Sequence, residues 1–132
     1  MSYTNQYYPR RPVKSFQDLE VYQKLLAVSV AVAKRIKSEK VVTLALDLPV
    51  KIATAHSLRF GDQKQSIEAL EVVMLNCNLL VVYLEQYRDI ENKDIESEFF
   101  EEQIKSLFAT RTKVLRLQRS WLKFMNQKGE KI

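Results

Sequence analysis

The sequence predicts an all-α fold, an antiparallel up-down four-helix bundle, and three observations carry that prediction. Two glycines (Gly61, Gly129) and three prolines (Pro9, Pro12, Pro49) in 132 residues leave little material for the turns of a many-stranded fold. Apolar residues recur at helical three-and-four spacing along most of the chain after residue 14. Capping residues and end charges then mark helix boundaries at sensible intervals. With 46% hydrophobic and 28% charged residues, the composition is that of one globular domain long enough to bury a core. The expected organisation is a basic, aromatic arm over 1–14, the bundle over 15–128 and a short tail over 129–132.

The arm holds Tyr3, Tyr7, Tyr8, Pro9, Arg10, Arg11 and Pro12, with no apolar period to pack it. Ser15 followed by Asp18 is a variant of the capping box, and it opens a first helix running to about Lys37. Tyr22, Leu25, Leu26, Val32, Ala33 and Ile36 give that helix a broad apolar face, and Lys34, Arg35 and Lys37 near its end suit the macrodipole. The second helix, about 40–58, contains Pro49. That residue either kinks a continuous helix or sits in the first turn of one capped by Asp47. Val41–Leu46 has strand propensity but no second strand to pair with. Asp62 to about Asp89 makes the third helix, apolar nearly all round from Val72 to Leu84 and so expected to be the most buried. Asn76 and Asn78 within it need hydrogen-bond partners, either between subunits, where they would fix register, or in a polar notch of one bundle.

The fourth helix, Asp94–Gln127, organises the rest. Glu96, Glu98, Glu101 and Glu102 open it, bases gather toward its end, and Gly129 stands where a stop is expected. At about 100° per residue, Lys105, Lys113, Arg116, Arg119 and Lys123 share one arc of roughly 120°. The remaining circumference carries two apolar stripes. One is Ile104, Phe108, Leu115 and Leu122; the other is Leu107, Val114, Leu117, Trp121, Phe124 and Met125. Two stripes imply two neighbours, a bundle core and another subunit. Leu117, Trp121 and Phe124, with Asn76 and Asn78, are therefore the expected oligomer contacts.

Net charge is +5, unevenly spread: +3 over 1–14, −5 over 15–104 and +7 over 105–132. Basic ends on an acidic middle point to a polyanion partner, most often nucleic acid, against the plainer reading of solvated faces. Arg10, Arg11, Lys105, Lys113, Arg116, Arg119 and Lys123 are the candidate nucleic-acid contacts.

Enzyme chemistry has little to stand on. His56 is the only histidine, which excludes metal sites needing two imidazoles, and Cys77 reads as a small buried hydrophobe. No phosphate loop and no EF-hand spacing occurs. The expectation is a non-enzyme without metal or cofactor. One cysteine excludes an intrachain disulfide and fits a reducing cytoplasm. The N-terminus lacks the apolar core of a signal peptide, and the apolar run Val72–Leu84 is too short for a membrane span. A cytoplasmic protein without a membrane partner is expected.

Ser15-Phe16-Gln17-Asp18-Leu19-Glu20-Val21-Tyr22-Gln23-Lys24 resembles the Ser-Phe-x-Asp-Leu-x-Val-Trp-Gln-Lys opening of the 23S rRNA intervening-sequence proteins, with Tyr for Trp. Pro49, Ile52 and Ala53 fit the spacing of that group's Ile-Pro-x-Asn-Ile-Ala-Glu-Gly segment; Leu48, Lys51, Thr54 and Ala55 depart from it. The ending Ser120-Trp121-Leu122-Lys123 through Asn126-Gln127-Lys128-Gly129 is similar to the close of the accessory variability proteins of diversity-generating retroelements. Both groups belong to one four-helix-bundle superfamily. The resemblance implies a ring-like homo-oligomer, typically a pentamer, with a positive surface or pore. In the retroelement group the ring binds the reverse transcriptase and its structured RNA template during mutagenic cDNA synthesis. That accessory role is the first expectation. An intervening-sequence protein of unsettled role, or an interaction bundle without nucleic acid, is the alternative.

Overall fold

Side-chain caps open the first turn and the second and third helices in the computed structural model, which describes residues 15–129. The Ser15 hydroxyl accepts from the Gln17 N–H at 3.1 Å and opens a single 3-10 turn, Phe16–Asp18. Leu19 is extended and buried, so the helix expected from Ser15 is interrupted there, and α1 spans Glu20–Arg35. The side-chain amide of Gln23 donates to the Gln17 carbonyl at 2.9 Å, and Phe16 meets Tyr22 edge to face at 4.9 Å. The turn is thereby clamped onto the helix it precedes.

Ile36 leaves α1 in extended backbone and stays buried, ending the helix just short of Lys37. Ser38 then caps α2, Glu39–Leu58. That helix runs unbroken through Pro49, which is itself buried, and Asp47 pairs with Lys51 at 3.0 Å instead of capping a new start. Asp62 accepts from the Gln65 N–H at 3.0 Å and caps α3, Gln63–Ile90. Between α3 and α4 (Ser97–Gly129), Asn92 accepts from the Ile95 N–H at 3.0 Å and donates to the Ile95 carbonyl at 2.8 Å. This two-bond clasp sets the reversal and starts α4 later than Asp94. Gly129 lies inside the helix, not beyond it. Residues 1–14, with Arg10 and Arg11, and 130–132 of the expected tail fall outside the described residues.

Among the described residues there is no strand, and each helix packs on its neighbours in sequence while α4 closes against α1. That is the antiparallel up-down arrangement. Leu25, Val32, Leu48, Ile52, Leu70, Leu80, Leu84, Phe100, Leu107 and Val114 fill the core and are essentially inaccessible to water. Burying side chains of this size contributes about 1.5–3 kcal/mol each before conformational entropy is subtracted. Arg35 and Glu96 pair through two hydrogen bonds, 2.8 and 3.0 Å, tying the end of α1 to the approach of α4. The hydrogen-bonded guanidinium holds the Glu96 carboxyl down at about 2.

Among the described residues, the third helix carries more buried ones than any other helix, as expected, but it is not buried all round. Its inner face is buried, but Val72, Leu75, Leu79 and Val82 point outward in one stripe, with Leu75 56% exposed. Asn78 is exposed and Asn76 half-buried, so water reaches both, and neither forms a notch inside the core. The physical reason is geometric. A helix at the corner of a four-helix bundle buries about half its circumference, and apolar residues on the remainder have no neighbour within the subunit. On α2, Leu46 and Val50 are exposed in the same way. By length and composition alone, α2 and α3 are each apolar enough to cross a membrane, a correction to the span read from Val72–Leu84 only; their inner faces carry the bundle core.

Candidate nucleic-acid interface

On α4, Phe100, Leu107, Val114 and Trp121 recur at seven-residue steps and define the buried line. Lys105, Arg116, Arg119 and Lys123 fall on the opposite side and are exposed. None of the four has a carboxylate within 4 Å among the described residues. Their charge is therefore uncompensated and available. Lys113, expected in the same strip, lies to one side, and its Nζ is 3.4 Å from Glu20 Oε2 of α1. It bridges the α1–α4 groove, a hollow of about 280 Å³ also lined by Leu19, Val21, Arg116 and Leu117.

The two apolar stripes of α4 resolve differently from the expectation. Trp121 is only 4% exposed and belongs to the subunit's own core. Leu117, Ile104 and Leu115 are partly buried and pack against that core, while Phe108 and Phe124 project, the latter 46% exposed. A bundle helix touches two neighbours, one on each flank, so a wide apolar arc is largely consumed inside one subunit. Trp121, expected at a subunit contact, is thus spent in the core of its own bundle, and the outward stripe of α3 is a separate exposed apolar surface. Gln118, which separates the stripes, donates its Nε2 hydrogen to the Ile67 carbonyl at 3.1 Å and is satisfied inside the bundle.

Arg59 and Phe60, which periodicity does not single out, complete the basic end of the molecule. They sit in the α2–α3 turn, held by N–H bonds from Arg59 to the His56 carbonyl and from Gly61 to the Leu58 carbonyl. The Arg59 guanidinium carbon lies 4.9 Å from the Trp121 ring centre, 5.4 Å from Phe60 and 5.8 Å from Phe124. His56 packs beside the same rings, 5.7 Å from Phe60 and 6.3 Å from Trp121. Burial, with the nearby Arg59 charge, pushes its imidazole below the usual histidine range. The one sequence signal for this cluster is an Arg-Phe pair placed in a turn just before Gly61, where a core aromatic is unexpected.

Cys77 is buried on α3, and burial pushes its thiol up to about 12. At pH 8 only about one thiol in ten thousand is then ionised, and the thiolate is the reactive form. Ellman's reagent should leave the native protein unmodified over an hour and titrate one thiol once guanidinium unfolds it. Rapid labelling of native protein would show an accessible, activated cysteine. Among the described residues no group of three or more His, Cys, Asp or Glu side chains is arranged to hold a metal ion. In comparison with known proteins, no family model, no curated protein and no solved structure matches this chain.

Proposed function

We propose that this chain is a non-catalytic nucleic-acid-binding bundle that works as a ring-like homo-oligomer. Its role is that of the accessory partner of a reverse transcriptase on structured RNA in a diversity-generating retroelement. The observation that carries the reading is the strip Lys105, Arg116, Arg119 and Lys123, four exposed cations without acid partners among the described residues. Arg116, Arg119 and Lys123 follow one another at steps of about 4.5 and 6 Å along the axis, close to the separation of phosphates on a strand. Such contacts position a backbone without identifying bases. Repetition of the strip around a ring multiplies weak contacts through effective concentration. The exposed apolar stripe of α3 supports self-association, because a soluble monomer rarely leaves so regular a patch uncovered. The Ser-Trp and Asn-x-Lys-Gly ending supports the retroelement branch, and the Ser15–Lys24 opening favours the intervening-sequence branch. A neighbouring reverse-transcriptase gene with paired template and variable repeats separates the two.

Changing Arg116 and Arg119 together to glutamate should weaken binding of a structured RNA about ten- to a hundred-fold near 0.15 M salt. The slope of log affinity against log salt should become shallower by roughly 0.7–0.9 for each phosphate that is no longer neutralised. Both side chains are exposed, so helicity and assembled mass should not change. Unchanged affinity and slope in an intact variant would remove the strip from the interface.

A further inference from the structure

We infer that the hollow at the end of the bundle, between the α2–α3 turn and the last turns of α4, is a stacking site for a single unpaired nucleobase of bound RNA. The base would lie against the exposed ring of Phe60, with its phosphate on Arg59. The inference rests on the nucleic-acid reading above and gives it a second, chemically different contact.

Three observations point the same way. Phe60 is 76% exposed, an aromatic ring held in water by a short turn although the core lies beside it. Arg59 has no carboxylate within 4 Å among the described residues. Its guanidinium instead faces three aromatic rings within 6 Å, which orients it without neutralising it. The hollow they border, with Ser66, Trp121 and Met125 also on its wall, is about 170 Å³. Drug-sized ligands take pockets of roughly 300–1,000 Å³, so this one suits a single planar ring system. Aromatic faces beside an uncompensated cation match a base with its phosphate, the combination single-strand binding surfaces use. A lysine or other cationic ligand is disfavoured, because it would meet the uncompensated Arg59 charge at the same hollow. The up-down topology brings this turn and the C-terminal half of α4, with Arg116, Arg119 and Lys123, to the same end of the bundle. One strand can therefore meet both.

Trp121 is the only tryptophan and forms part of the wall, so its fluorescence reports occupancy directly. The experiment titrates the full chain with a single-stranded RNA decamer and, separately, with a blunt RNA duplex, reading Trp121 emission and affinity across a salt series. The single strand should change Trp121 emission and the duplex should not. Phe60→Ala should weaken single-strand binding by between about five- and a hundred-fold at fixed salt. It should leave the salt slope and duplex affinity unchanged, since no charge is removed. Phe60 is exposed, so the variant folds, and circular dichroism confirms it. If Phe60→Ala binds both RNAs as the wild type does, or weakens on both equally, the stacking site is wrong while the phosphate strip stands. A variant whose assembled mass falls while RNA binding holds would assign the hollow to a protein contact and overturn the inference. Wild-type protein that binds neither RNA would overturn this site and the nucleic-acid reading together.

Discussion

Replacing Leu75 and Leu79 together with glutamate is expected to reduce the protein to single subunits of 15.5 kDa while leaving its helicity intact. Val72, Leu75, Leu79 and Val82 are spaced three, four and three residues apart, the alternation that keeps an apolar seam in line along a helix. All four are exposed within the subunit. Covering each leucine in a subunit contact contributes about 1.5–3 kcal/mol. Removing two, and burying two carboxylates in their place, lowers the association constant by roughly three orders of magnitude or more, since each 1.4 kcal/mol is tenfold. Light scattering or sedimentation at micromolar concentration measures this. A wild-type protein that is itself monomeric there sinks the proposed ring, whatever the variant does.

Trp121→Ala is expected to cost about 3–5 kcal/mol of folding stability, the usual loss when a large buried aromatic is truncated. Trp121 closes the core at the end of α4, packed beside His56 and under the Arg59 guanidinium. Against a total of about 5–15 kcal/mol for a domain, that loss is severe. Urea unfolding should be measured in the Leu75→Glu, Leu79→Glu background, where subunit contacts contribute nothing and the midpoint does not depend on protein concentration. A Trp121→Ala protein with unchanged stability but lower assembled mass would return Trp121 to the subunit contact that its place in the sequence suggested.

That contrast marks how much of the molecule the sequence could disclose. The capped turn at Ser15 and the start of α3 after Asp62 were legible because a cap is a local event, a side chain and an N–H two or three residues on. The break at Leu19 was not, because it depends on Leu19 and Phe16 packing onto α1. The cation strip of α4 was readable from spacing, apart from Lys113, whose partner Glu20 is ninety-three residues away in the chain. Periodicity places residues on an arc without saying which arc turns inward, and Trp121, expected at a subunit contact, lies in the core of its own bundle. On α3, apolar character all round signalled both core and surface, and only packing separates Leu80 from Leu79. Arg59 and Phe60 carry no periodic signal, since their partners Trp121 and Phe124 come from the far end of the chain.

On the proposed nucleic-acid reading, the distribution of charge along α4 governs how the polyanion arrives as well as how it is held. Glu98, Glu101 and Glu102 are exposed at one end, and Arg116, Arg119 and Lys123 at the other, with Glu98 and Arg116 about 27 Å apart along the axis. A bundle with that separation experiences a torque in the field of an approaching polyanion. It turns its basic end forward before any contact forms, and the acidic end turns misaligned encounters away. The gain appears in the rate of productive collision, which falls as salt shortens the reach of the field, to about 8 Å at physiological ionic strength.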